Sequence, residues 1–243
     1  EHGAVFMTTA DAGIDLPEKT MIPVKMLPAK EYWKFWRERV ISINTATLQE
    51  FELDSDFWGS NEQSERELIG DTSLTRRLYA RQLCGLYNPY RYEAFRDLAN
   101  STDDRLIVFY NFTEEMERLK GMVKGMNRPV SVLSGEVKDL NAYHYKSNSV
   151  TFIQYQAGAM GGNFQKANKI IYFSLPQGWE LWEQSQKRIH RMGQERPCFY
   201  YLLICPGTVE ENILATLQMR KDYNDELFRQ CEQPPMKWSE RHD

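Results

Sequence analysis

Apolar and polar positions divide the chain into two unlike parts. From residue 103 onward, short runs of β-branched and aromatic residues alternate with stretches of helical period. "RLIVFY" (105–110) reads as a buried strand. "TEEMERLKGMV" reads as the helix after it, with Thr113 as N-cap and Glu114 and Glu115 well placed in the first turn. "PVSVL", "VTFIQY", "KIIYFSL" and "CFYYLLIC" are further strands. The loop "QAGAMGGN" (156–163) follows the second of these, and a helix over 179–192 precedes the last. "TVEENILATLQMRKDYNDELFRQ" predicts one long helix starting at Thr208, with Glu211 at capping-box spacing. Near-continuous apolar strands separated by helices predict an α/β domain over 103–230, with a parallel sheet covered on both faces.

The earlier part has no such alternation. Residues 1–30 read as an extended linker, with "LPEKTMIPVKMLP" punctuated by proline, and the chain opens abruptly, as a cut piece of a longer chain would. Residues 31–102 read as a helical prelude. "AKEYWKFWRERVISI" predicts a helix whose Tyr32, Trp33, Phe35 and Trp36 cover much of its circumference as packing residues, and "LTRRLYARQLCGLY" and "RYEAFRDLAN" predict two more. "ELDSDFWGSNEQSERELIGDTS" predicts an acidic, polar loop near 51–73. Pro234 and Pro235 end the last helix and leave a polar tail over 231–243.

A net charge of −4 over 243 residues gives no global basic footprint, so any anion-binding surface is local. One stretch concentrates positive charge. In "EQSQKRIHRMGQERP" (183–197), Lys187, Arg188, His190 and Arg191 fall within five residues, and no acid intervenes between Glu183 and Glu195. On a helix, Arg188 and Arg191 stand at i and i+3 and Gln184 four residues before Arg188, so the three share a face that suits a polyphosphate. A solvated basic face is the plain alternative. His190 points elsewhere, as a packing or hydrogen-bonding histidine. In the 156–163 loop, three glycines in five positions let backbone N–H groups approach a ligand at a strand end, or serve only a tight connection. The loop matches neither a Walker A motif nor GxGxxG. Cys84, Cys198, Cys205 and Cys231 contain no CxxC pair and read as reduced, buried thiols of an intracellular protein, with no zinc or other metal site. No apolar run is long enough to span a bilayer and no signal-peptide pattern opens the chain.

"QSQKRIHRMGQ" resembles motif VI of superfamily 2 helicase-like ATPases of the Swi/Snf-type branch, Q-x-x-x-R-x-H-R-x-G-Q. "QAGAMGGNFQKANKIIYF" is similar to motif V of that branch, and "RLIVFYNFTEEMERL" to motif IV. "PGTVEENILATLQMRKDYNDELF" resembles the helix that closes the domain, and the segments before residue 103 resemble the linker and helices leading into the second lobe. There are departures: Gln156, Ala159 and Gly162 differ from the usual motif V residues, and "SLPQGWE" stands where many members read D-P-x-W-N-P, keeping only the tryptophan as Trp179.

The resemblance implies the second, C-terminal RecA-like lobe of a DNA-dependent ATPase or translocase. In that family ATP with Mg2+ lies between two lobes and is held mainly by the first, whose P-loop lysine and D-E-x-H-type motif are absent from this sequence. Arg188 and Arg191 would then be arginine fingers, with Gln184 and Gln194 supporting them. Gly158, Gly161 and Asn163 would couple the nucleotide to the DNA backbone. The implied partners are DNA and an N-terminal RecA-like lobe of the same protein, with no membrane, and the chain alone should not hydrolyse ATP. The setting expected is cytoplasmic, in a microbe or from a virus. A non-catalytic nucleic-acid or protein-binding module retaining the fold is the alternative; an unrelated nucleotide-dependent transferase fits the motif order poorly.

Overall fold

The computed structural model describes residues 16–44, 65–158 and 162–231. In chain order they form β1 (Lys19–Lys25), α1 (Glu31–Glu38), β2 (Val40–Asn44), β3 (Glu65–Ile69), α2 (Ser73–Cys84), α3 (Pro89–Asn100), β4 (Leu106–Tyr110), α4 (Thr113–Gly125), β5 (Val130–Leu133), β6 (Lys138–Asp139), α5 (Asn141–Tyr145), β7 (Val150–Gln154), α6 (Tyr155–Gly158), β8 (Lys169–Tyr172), α7 (Trp179–Gln186), β9 (Cys198–Ile204), α8 (Val209–Gln218) and α9 (Asp225–Gln230).

Seven strands make one sheet in the order β1-β9-β8-β4-β7-β5-β6, parallel throughout except for the last pair. The apolar runs of β4, β7 and β8 occupy its centre, where both faces are covered, which is why they read as continuous rather than alternating. The extended linker contributes β1, which lies beside β9 at the sheet's edge. Pro23 lacks an N–H, and an edge strand with no second neighbour tolerates that loss. Buried residues from Ala29 to Phe228 form one contiguous cluster, so the prelude helices and the sheet share a core. Trp33 and Trp36 pack against its border, and the Trp36 and Phe228 rings lie 5.6 Å apart.

Four expected elements differ, each for a local reason. The helix from residue 30 stops at Arg39, whose φ of 60° is left-handed, and the alternating "VISIN" then becomes β2 with Ile41 and Ile43 buried. Glu65–Ile69, within the expected polar loop, is β3, paired antiparallel with β2; the rest of the acidic stretch, up to residue 64, lies outside the described residues. Thr113 is the first residue of α4 rather than its cap. The buried Glu115 carboxylate caps the turn instead, accepting the N–H groups of Asn111 and Phe112 at 3.2 Å each. The closing helix is two helices. Thr208 caps α8 as expected and Glu211 reaches the Gly207 N–H, but Arg220 turns left-handed at φ 58° and Asn224 caps α9.

At the carboxyl end of the strands, charge is buried and paired. The Arg91 guanidinium donates to the Phe173 carbonyl and to the Glu210 carboxylate, which also accepts the Cys205 N–H at 3.0 Å. Asn88 donates to the carbonyls of Leu27 and Cys84 at 2.9 and 3.1 Å. These bonds tie α2 and α3 to β9 and α8. Among the described residues no helix is long and apolar enough to cross a membrane.

Candidate functional site

The basic segment leaves the helix earlier than its sequence predicts. α7 ends at Gln186, and residues 187–193 form turns that close at Gly193, φ 91°. Tertiary bonds reach the carbonyls at the helix end, where the Gln186 carbonyl keeps only a long bond from the His190 N–H at 3.4 Å. The Tyr200 hydroxyl donates to the Gln186 carbonyl at 2.9 Å, and the Phe164 N–H donates to the Arg188 carbonyl at 3.1 Å. Gln184, Arg188 and Arg191 therefore do not share one helix face. Gln184 remains on α7, bonded to Glu180 at 2.9 Å, and bonds neither arginine.

Arg188 and Arg191 remain electrostatic neighbours on the turn. Arg188 is half-buried and donates to the Gly162 carbonyl at 3.3 Å. Burial, and then the Arg191 cation, lowers its pKa. Both effects oppose its charge, and neither approaches what would neutralise a guanidinium. Arg191 is exposed, and no ion pair joins either arginine to a carboxylate among the described residues. His190 bonds the Pro17 carbonyl through Nε2 at 2.8 Å; a carbonyl only accepts, so Nε2 carries the proton.

The glycine loop meets this turn, though not where a strand-end loop is expected. It leaves the carboxyl end of β7 through the short helix α6, which Gly158 ends, and then returns toward the start of β8. There Gly162 bonds Arg188; a Cβ on Gly162 would lie 2.4 Å from the Phe164 ring, so close packing demands glycine. Asn163 is exposed, and its side chain accepts the Gln165 N–H at 3.3 Å. Gly161 lies outside the described residues. Gln194 is the buried fastener: its amide donates to the carbonyls of Gln165, Ala167 and Ile189 at 3.1, 2.9 and 3.1 Å. The structure thus brings together Arg188, Arg191, Gln194 and the end of the glycine loop, and leaves Gln184 apart.

Residues the sequence reading missed supply the support. Phe164 anchors the Arg188 carbonyl, and its ring packs on Tyr143 with centroids 5.0 Å apart. Asn168 joins the Pro197 carbonyl at 2.8 Å and so aligns the starts of β8 and β9. Beside them Asp104 accepts from both Lys169 and Arg196, and the bond from Lys169 holds its carboxyl below the usual carboxylate range. "FQKAN" carries no periodic signal, and only its place in the stretch resembling motif V marks it in the sequence.

Cations at Arg188 and Arg191 suit phosphate oxygens and not Mg2+, which wants hard oxygen donors. Three potential metal ligands, on Cys84, Cys205 and Glu210, lie within 4.8 Å of one another. Glu210 is already held by Arg91, and Arg91 and Asn88 both donate to the Cys205 sulfur, so a cation would have to displace a buried guanidinium. Cys84, Cys198 and Cys205 are buried free thiols, whereas Cys231, expected to be buried, is exposed.

No protein-family model matches the chain. Among curated proteins it is similar to the DNA repair and recombination protein RDH54 of Saccharomyces cerevisiae, 23% identical over 142 residues, 56% of this chain and 15% of that protein. DNA repair protein rad8 of Schizosaccharomyces pombe is 27% identical over 136 residues, 53% and 12%. A SWI/SNF-related matrix-associated actin-dependent regulator of chromatin, subfamily A containing DEAD/H box 1 homolog, of Caenorhabditis elegans is 27% identical over 145 residues, 55% and 15%. The matches thus take in only a small part of each relative's length. The C-terminal part of the Fun30 ATPase domain has the same fold, with TM-score 0.65 at 12% identity over 90% of this chain and 98% of that one. Motif order, sequence relatives and fold agree in what they resemble: the chain is similar to the C-terminal RecA-like lobe of the Swi/Snf-type helicase-like ATPases.

Proposed function

We propose that this lobe serves a DNA-dependent ATPase or translocase in which Arg188 and Arg191 act as arginine fingers on ATP held, with Mg2+, by an N-terminal RecA-like lobe. The observation that carries this reading is the arginine pair itself. Two guanidiniums stand as neighbours with no carboxylate bonded to either among the described residues, and one is tethered to the Gly162 carbonyl. Their mutual repulsion disfavours the arrangement until an anion is brought between them. A γ-phosphoryl group spreads charge over its equatorial oxygens as it transfers, and forked donors aimed there stabilise the transition state more than the ground state.

In this reading the residues divide the work. Arg188, half-buried and tethered, is pre-aligned; Arg191, exposed, reaches to the phosphate when the lobes close. Gln194 is a positioning residue that holds the turn to the glycine loop, and Gln184 acts only through α7. Gly158, Gly161 and Asn163 belong to the loop that would couple the nucleotide to the DNA backbone. The relatives named for DNA repair and recombination support DNA as the partner. ATP and Mg2+ supply the phosphoryl chemistry; this lobe contributes orientation and positive charge, and by itself is expected to turn over no ATP.

The test is Arg191→Ala in the full-length protein. Turnover should fall by about 10³-fold or more, while ATP binding persists because the first lobe provides most of it. Undiminished turnover removes the finger assignment.

A further inference from the structure

A second concentration of positive charge lies on the other side of the turn that carries the arginines. α7, the end of α8 and the start of β1 enclose a cleft of about 330 Å³ whose cations are Lys19, Lys187 and Arg220. Trp179, Trp182 and His190 also line it; neither Arg188 nor Arg191 does. Glu183 is the single carboxylate of the lining, and Lys187 already holds it at 3.1 Å.

Among the described residues no ion pair joins either of the other two cations to a carboxylate. Lys19 donates to the Gln186 side-chain oxygen and stands 5.4 Å from the Tyr200 ring centroid, both neutral groups, in a partly buried position. An ammonium has three donors, and a neutral amide and an aromatic face leave at least one unmet. Arg220 lies over the Trp179 ring at 5.7 Å, held there by a left-handed backbone at φ 58°. That conformation is strained for an arginine and is retained where the surroundings fix it. Asp222 does not balance it through a bond, because its carboxylate accepts the Trp179 N–H at 2.7 Å. His190 Nε2 is committed to the Pro17 carbonyl.

We infer that this cleft is a binding site for a small phosphorylated ligand, separate from the Arg188 and Arg191 site. Lysine and arginine donors converging on one concavity match phosphate oxygens. The volume, at the low end of small-molecule sites, fits a phosphate with a compact body against the indoles and excludes duplex nucleic acid. Gln186, Lys187 and His190 belong both to this cleft and to the segment carrying the arginines, so an occupant would steady that turn from behind.

The probe is inorganic pyrophosphate, titrated calorimetrically into the 243-residue chain, with the tryptophan emission of Trp179 and Trp182 as a second readout. One saturable site is expected. Lys187→Glu and Arg220→Gly, the latter a residue suited to φ 58°, should each weaken it at least tenfold, and Arg188→Ala should leave it unchanged. Loss on Arg188→Ala with both cleft variants unaffected would return the anion to the arginine pair and overturn this site. Absence of saturable binding would overturn it too. So would binding of a single-stranded oligonucleotide, but not pyrophosphate, that the two cleft variants abolish. Failure of the finger assignment would instead appear as normal ATP turnover in Arg191→Ala, which does not bear on pyrophosphate here.

Discussion

The two ends of the sheet handle charge by opposite rules. At the carboxyl end the buried charges are engaged within the fold: Arg91 by Glu210 and the Phe173 carbonyl, and one Glu115 oxygen by two backbone N–H groups and the Ser174 hydroxyl at 2.8 Å. Arg91 Nε and the other Glu115 oxygen have no partner among the described residues. Where β8 and β9 begin, the Asp104 cluster is paired, but among the described residues no ion pair joins Arg188, Arg191 or Lys19 to a carboxylate. The buried Arg91 meets a carboxylate that the fold itself supplies, whereas these three cations do not among the described residues. This contrast supports the proposal that the second end receives an anion from outside.

If that contrast is right, deleting charge should have unequal consequences. The largest effect on stability is expected from Arg91→Ala, which strands the buried Glu210 carboxylate and should cost about 3–5 kcal/mol, read from denaturant unfolding. A cost below 1 kcal/mol would mean the pair is not the clasp between α3 and α8. Next is Gln194→Leu, which leaves three carbonyls without their donor and should cost about 1–3 kcal/mol while loosening the turn, visible as faster amide exchange over 186–194.

Glu115 sharpens the comparison through pH. Burial raises its carboxyl above the ordinary range, despite the hydrogen bonds that pull it down. A raised carboxyl binds its proton more readily in the folded chain than in the unfolded one. Its contribution is therefore most favourable below the unfolded pKa and is lost as pH climbs through the folded value. The stability of the native protein relative to Glu115→Gln should accordingly fall as pH rises across that window and level off above it. A difference that rises with pH would mean that hydrogen bonding outweighs burial. The smallest effect is expected from Arg191→Ala, within about 0.5 kcal/mol of the native protein, since it removes an exposed cation whose nearest charged influence is repulsive.

Much of this was legible beforehand, and the failures share a cause. The central strands announced themselves because burial on both faces permits only apolar runs, and α2 and α3 because their apolar positions keep helical spacing. β1 was read as a linker because an edge strand with Pro23 looks like irregular chain until β9 is there to pair with it. The early end of α7 depends on Tyr200 and Phe164 reaching carbonyls from elsewhere in the fold, and the break at Arg220 precedes a segment held by the Tyr223 N–H to the Gln177 carbonyl at 2.7 Å. Such contacts are invisible to local spacing. The helix face that spacing predicts for Gln184, Arg188 and Arg191 does not form; the structure keeps the two arginines on one turn, held by Gln194 and the Gly162–Arg188 bond, and leaves Gln184 on α7.

The central claim is that the unpaired arginines await a phosphate presented by another lobe. It is tested most directly by measuring turnover and ATP affinity together in the full-length protein for Arg188→Ala, Arg191→Ala and the double variant. If both guanidiniums stabilise one transferring phosphoryl group, each single variant should lose nearly all turnover, the double should lose little more, and ATP affinity should change only slightly in all three. Native turnover in either single variant, or a loss traced wholly to weaker ATP binding, would contradict it.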